Sequence, residues 1–426
     1  MTSRILTASL AGLTVLATAT TGHAGGLERH GYDVDLLFEK SPFFFDGSVT
    51  YVMPNRRIRN AVDESVPAAD PTNLNNIAGY SSTADGSEPY ADPYLGAKAA
   101  IGDSIDCMID YSEPFGANVK PGRHWAGAKD VSELEIFSHN YGAACSYRFD
   151  AGPGQFRVIG GGFYQEIGGH KEQVVVAPEI LAGTPFSNFS GLGRMEDIKD
   201  SSGGWHAGVG YEIPEYAMRA SLVYTSKVDY DDINGTLNLT GVPKAIAGSL
   251  DHQRIFGEST PVTASATLPE SLELKLQSGI APDWLGFGSV KWTNWSRLQT
   301  VDFRCDGSAA FCGDAAGKTL TALNLYYRDG WTVTGGLGHR FNEQWAGGMS
   351  LTWDRGTSTV VGSQSDVWMV GLGTAYSPSE HVELRLNGAL GLLTSGESNP
   401  INTTTTRYEY GTDFVSALSG ELRVKF

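Results

Sequence analysis

The stretch DFVSALSGELRVKF (Asp413–Phe426) places Phe414, Leu418, Leu422, Val424 and Phe426 on one side of an alternation. Glu421, Arg423 and Lys425 fall on the other side. An extended strand sends successive side chains to opposite faces, so this pattern predicts a sheet with one apolar and one polar face. ESLELKLQSGI (Glu270–Ile280) repeats it, with Leu272, Leu274 and Leu276 against Glu273, Lys275 and Gln277. HVELRLNGALGLL (His381–Leu393) does so again, setting Val382, Leu384, Leu386, Leu390 and Leu392 against Glu383, Arg385 and Asn387.

Working outward, the connections between such segments come in two sizes. Short ones at 102–104, 150–154, 214–216, 281–283, 342–344 and 377–381 carry turn-forming residues. Long ones cover 54–92, 115–132, 170–203, 231–264, 304–319, 355–364 and 395–407. Thirteen connections join fourteen strands, short at one end and long at the other. That is the layout of an all-β, 14-stranded antiparallel transmembrane barrel. A soluble sandwich would turn its apolar faces inward and would not sustain this rhythm. The 53 glycines, many inside strands, suit a closely packed curved sheet. No helix follows the glycine runs, so they do not read as phosphate loops. Tyr51, Trp205, Tyr224, Trp284, Trp292, Trp345 and Tyr376 are candidates for interface girdles.

The first residues, MTSRILTASLAGLTVLATATTGHAGG, have a basic head at Arg4, a short apolar run and small residues before Ala24. This predicts a signal peptide spanning 1–24, too short in its apolar run to anchor in a bilayer. No other stretch is apolar over about 18 residues, so membrane-spanning helices are excluded. A net charge of −17 argues against a nucleic-acid partner, which needs a basic surface. The four cysteines are even in number and contain no CxxC pair, which favours disulfides over metal ligation. Cys305 and Cys312 bracket one polar loop and are expected to pair, whereas spacing alone leaves Cys107 and Cys145 undecided. No metal or cofactor is expected.

TLPESLELKLQSGIAPDWLGFGSVKWTNWSRLQ resembles the FadL-type long-chain fatty acid transporters, which also include importers of aromatic hydrocarbons. The resemblance rests on Leu268-Pro269-Glu270 before a strand, a turn ending at Asp283-Trp284, and then a strand reaching Trp292, Trp295 and Ser296. It implies fourteen strands (44–426) and an N-terminal hatch at 25–43, in GGLERHGYDVDLLFEKSPF, with Leu27, Tyr32, Leu36 and Phe38 as its apolar side chains. That hatch is shorter than usual in the family and lacks the Asn-Pro-Ala motif found there; a loosely ordered tail is the alternative, and the apolar content of the segment opposes it. A closing strand ending in Phe also resembles those of bacterial outer-membrane proteins, which implies the outer membrane and its lipid as surroundings and the barrel assembly machinery as a partner.

A hydrophobic, fatty-acid-like ligand needs an apolar path, worth about 0.8 kcal/mol per buried methylene, and a cation or donors for its carboxylate. One long loop offers Val174, Val176, Ile180, Leu181, Phe186, Phe189 and Leu192; a second offers Val242, Ile246, Leu250 and Phe256. Loops this apolar either collect cargo or fold over one another as a cap, and the residues leave both open. Arg157, Lys275, Lys291 and Arg385 oppose the apolar phase of their strands and are candidates for the carboxylate, with pairing to lumen acids as the alternative. Lys244 and Arg254 of the second loop are also candidates. The resemblance implies a kink in the third strand that opens the wall, for which Pro114 and Gly116 are the candidates, with a simple strand end as the competing reading. A diffusion porin is the competing reading, and the apolar loops and N-terminal segment oppose it. Neither GxSxG nor HExxH occurs, so an enzyme is not expected.

Overall fold

The computed structural model describes residues 26–246, 255–305 and 317–426. The 1–24 stretch read as a signal peptide, and Leu250, Arg254 and Cys312, lie outside these residues.

Fourteen staves form one antiparallel ring. In chain order they are β1 (Phe43–Asn55), β2 (Tyr90–Ile101), β3 (Ile105–Ser112, resuming as Gly116–Val119), β4 (Glu133–Ala151) and β5 (Gly154–Val174). Then come β6 (Leu192–Ile213), β7 (Met218–Thr225 and Val228–Asn238), β8 (Ser259–Leu268 and Ser271–Ala281) and β9 (Trp284–Thr293 and Thr300–Cys305). The last are β10 (Thr319–Asn324 and Gly330–Arg340), β11 (Trp345–Asp354), β12 (Val367–Ser379), β13 (Val382–Leu393) and β14 (Asp413–Lys425). Each stave pairs with its neighbours, and β1 pairs with both β2 and β14. Closure removes the free edges that an open sheet would present.

The alternation expected from the sequence decides which face is which. Leu272, Leu274, Leu276, Leu384, Leu386, Leu390, Phe414 and Leu418 are exposed, whereas Gln277, Glu383, Arg385, Asn387 and Arg423 are buried. The apolar face therefore points out to lipid and the polar face into the lumen. Trp345 stacks beside Tyr376 near one end of β11 and Trp353 beside Trp368 near the other. Those nine residues match the length that a tilted strand needs to cross a bilayer. Among the described residues no helix is long and apolar enough to cross a membrane.

Two of the long connections are shorter than the alternation predicts. β5 runs to Val174 and β6 starts at Leu192, within the expected 170–203 loop; β7 runs to Asn238 and β8 starts at Ser259, within 231–264. There β6 carries polar residues such as Asp197, Lys199 and Ser201 on the outside. Ile198 faces inward onto the upper lumen cluster, as does Ile167 of β5, so the apolar-outward alternation that marks the strands lower down is inverted. The other departure is at Trp295 and Ser296, which form a 3-10 turn after β9's first segment rather than continuing the strand.

The long connections build a cap. Arg57–Asp63 and Ala84–Asp85 from the first join Gly396–Ser398 and Thr406–Tyr410 from the last in a separate four-stranded sheet. Ile58, Leu74, Trp125, Val174, Ala177 and Leu192 pack beneath it as one core. Asp63 ties its base: burial would raise its pKa, but the Leu74 N–H, Ser65 and Lys129 hold the carboxylate below its usual range.

Cys107 and Cys145 are bonded to each other across β3 and β4, where they face one another in register. Cys305 is disulfide-bonded as well, its expected partner Cys312 lying outside the described residues.

Candidate functional site

Residues 26–42 run along the inside of the wall rather than outside it. Val34, Leu36, Leu37 and Phe38 pack on inward-facing Phe44, Tyr94, Met108 and Ile159. Two guanidinium groups clasp the Phe38 ring, Arg157 at 4.9 Å and Arg219 at 4.8 Å from its centroid. Tyr32 donates its hydroxyl to Gln165 at 2.9 Å. Leu27 and Tyr32 pack higher up, against the cluster that holds Phe115 and Trp295.

The candidate cations serve this segment and the wall. Lys275 donates to Asp35 at 2.9 Å and lies 3.5 Å from Asp33. Lys291 pairs with Glu28. Arg157 is engaged by Asp106 at 2.8 Å and by Glu212 at 3.3 Å. Arg385 lies between Glu383 and Glu421, and Lys244 pairs with Glu258. Pairing with acids thus accounts for each of these groups. For Asp35, burial pushes the pKa up, but the Lys275 charge, aided by Arg219, outweighs it and holds the carboxyl below its ordinary value.

The third stave is interrupted between Ser112 and Gly116, the stretch that holds Pro114. From Ser112 to Gly116 β3 takes four steps while β4 takes three, from Asn140 to Phe137, so one residue bulges out. The Ser138 hydroxyl repairs the ladder, accepting from Phe115 N at 2.9 Å and donating to Phe115 O at 2.8 Å. On the other side β2 pairs with β3 only as far as Tyr94↔Ser112; beyond it Gly116–Val119 has β4 as its one partner strand, and a single bond, Glu88 N–H to Asn118 O at 3.0 Å, joins it to the residues before β2. The N-terminal segment fills that seam: Gly116 N–H donates to Leu27 O and Arg29 N–H to Pro114 O, both at 2.8 Å.

Four staves also break at one level. β7 to β10 are interrupted at 226–227, 269–270, 294–299 and 325–329. Leu268-Pro269-Glu270 and Asn294-Trp295-Ser296-Arg297 form the clasp, with Glu270 accepting from Asn294 Nδ2 at 2.8 Å and Arg297 Nε at 2.6 Å. The clasp turns Trp295 inward, fully buried, edge-on to Phe115 at 5.8 Å and to Tyr327 at 5.7 Å. Phe115, Trp295 and Tyr327 went unmarked as lumen residues in the sequence; the one signal for Trp295 is its place in the clasp motif.

Two cavities flank the segment. One of about 160 Å³ is mixed in character, with Asp33, Asp35, Lys275, Arg219 and Glu421 on its walls beside Leu36, Tyr94 and Phe287. The other, about 210 Å³, is mostly apolar, between Val52, Met369, Leu393 and Val415 on one side and Arg29, Tyr90 and Gly116 of the seam on the other.

The two apolar loops are divided. Val174, Leu181 and Leu192 are buried, and Val174 and Leu192 are strand ends in the cap core. Val242 is buried in the upper lumen cluster, with Val176 and Phe256 against it. Ile180 is half-buried on the cap core, and Ile246 lies in a single 3-10 turn. Phe186 and Phe189 sit at the loop's surface, 6.3 Å apart, and Phe189 is exposed.

The profile of the family described as "Outer membrane protein transport protein (OMPP1/FadL/TodX)" matches residues 37–420. The chain belongs to that family. It is therefore a FadL/TodX-type outer-membrane transporter of hydrophobic compounds, and not an enzyme. A protein named long-chain fatty acid transport protein, from Escherichia coli O6:H1, is 22% identical over 347 residues, 75% of this chain and 74% of that one. The Pseudomonas aeruginosa FadL homologue superposes with a TM-score of 0.73 at 16% identity, covering 92% of each chain. The P. putida toluene transporter TodX gives 0.57 at 13% identity, again over 92% of each chain. These structural likenesses carry the FadL-type barrel fold.

Proposed function

We propose that this barrel admits long-chain fatty acids, with the segment 25–43 as a hatch in the lumen and release sideways into the bilayer at the β3 seam. The observation that carries this reading is the apolar cavity that reaches the seam between β2 and Gly116–Val119. An alkyl chain leaving there would stay in apolar surroundings, whereas the axial route passes the charged groups around Lys275 and Arg423. Phe186, Phe189 and Ile180 offer an outer landing patch, and Val242, Val176 and Phe256 the next apolar step inward. Against a diffusion porin stands the occupied lumen, whose cations are matched to the segment's acids.

The test uses purified barrel in lipid discs with a fatty acid carrying a photoactivatable diazirine at mid-chain. Labelling of Tyr90–Tyr94 and Ser112–Val119 is the expected result. Labelling confined to the short turns at 102–104 and 281–283 would reject sideways exit. Absence of binding together with a large steady ion conductance would favour the porin.

A further inference from the structure

Arg29 differs from Lys275, Lys291 and Arg56, each of which is paired with an acid. Its side chain is 7% exposed, it makes no ion pair among the described residues, and its Nε is buried without a hydrogen-bond partner. By contrast, Arg56, on the same cavity, spends its donors on Asp413, Thr394 O, Gly411 O and Ser365. The acids flanking Arg29 are engaged elsewhere: Glu28 by Lys291, and Asp92 by His30 at 3.2 Å. A guanidinium largely withdrawn from water without an anion is costly, and one stacked on an aromatic face recovers only part of that cost. Here the cation lies 4.3 Å over the Tyr90 ring.

The surroundings hold it in place. Its backbone N–H is fixed to Pro114 O. Gly116 leaves it room, because a Cβ there would fall 2.5 Å from Arg29 Cζ. The guanidinium thus faces both cavities, at the point where the segment closes the seam.

Resting on the transport reading above, we infer that Arg29 is the specificity-determining residue for an anionic head group, binding the carboxylate of an amphiphile whose chain lies in the apolar cavity. The planar fork suits a carboxylate, and the carboxylate supplies the partner the cation lacks. An uncharged hydrocarbon would leave it unpaired.

The experiment compares wild type, Arg29→Gln and Arg29→Lys in detergent-free lipid discs, titrated with a fluorescent C16 carboxylic acid and the matching C16 alcohol. The expected result is at least tenfold weaker binding of the acid by Arg29→Gln, alcohol binding within twofold of wild type, and partial recovery of the acid by Arg29→Lys. Equal loss of both ligands means the residue acts only through structure and overturns the inference, as does unchanged acid binding. If wild type binds neither ligand, the transport reading itself falls, and this inference with it.

Discussion

Replacing Lys275 by Met tests whether the N-terminal segment is latched by charge. Lys275 Nζ lies 2.9 Å from Asp35, 3.5 Å from Asp33 and 3.8 Å from Glu273. At an effective dielectric constant of about 20, one unit pair at that shortest distance attracts by roughly 6 kcal/mol before desolvation. Removing one member of a buried pair typically costs about 3–5 kcal/mol, because the other is left uncompensated. The lysine side chain is 27% exposed, so water screens part of this, and about 2–3 kcal/mol is the working figure. At about 1.4 kcal/mol per tenfold, the undocked population of the segment should rise roughly 30- to 140-fold. Planar-bilayer recording reads this as more frequent ion-conducting openings, and protease cleavage at Lys40 reads it independently. Adding Asp35→Asn should restore part of the docking, since it removes a stranded acid. The reasoning fails if Lys275→Met leaves both conductance and cleavage at wild-type levels, or if Asp35→Asn rescues nothing.

Gly116→Ala should push the Arg29 guanidinium off its seat while keeping its charge, weakening fatty acid binding about tenfold and the alcohol little; equal loss of both would contradict this. Docking of the segment should also depend on pH. Burial lowers the His30 pKa, but the Asp92 hydrogen bond and the Asp92, Asp33 and Asp110 charges outweigh it, leaving His30 above its ordinary value. Its contribution is therefore complete below about pH 6.5 and lost as pH rises through the raised value. Asp35, held low, works in the opposite sense: its contribution is present above about pH 4 and lost on further acidification. Protease cleavage of the segment should be slowest between those limits, and a flat profile in both wild type and His30→Gln would refute the assignment. Trp125→Ala should loosen the cap, because the indole is 2% exposed and donates to Val131 O at 2.9 Å. A loss of about 3–5 kcal/mol is expected, read as faster cleavage of the 54–92 loop on whole cells with the barrel intact.

How much of this was legible in the sequence depends on where water lies. Across the bilayer one face of each strand meets lipid and the other the lumen, so β13 and β14 could be read residue by residue. Above the membrane that contrast inverts, with Ile167, Ile198 and Ile233 turned inward, which is why the upper ends of β5 to β8 read as loop. The cap sheet pairs Ile58 with Tyr410, a contact between opposite ends of the chain that no local pattern reveals. Candidate cations were found as inward-facing strand residues, but Asp33 and Asp35 reach Lys275 from about 240 positions away. Arg29 was overlooked for a related reason: it lies outside every strand, and what marks it is the lack of a partner.

The bond between Cys107 and Cys145 lies on the outer face, one step from inward-facing Asp106 and Ser146, and five steps of regular pairing separate it from Ser112, where the bulge begins. A slip of one or two residues between β3 and β4 is the commonest error open to a repetitive strand pair, and this covalent tie forbids it. Asp106 is the hub that slippage would move, since it receives Lys98, Arg148 and Arg157 from three different staves. The cystine thus acts as an alignment pin, ensuring that the irregularity above it always occurs at the same height in the wall.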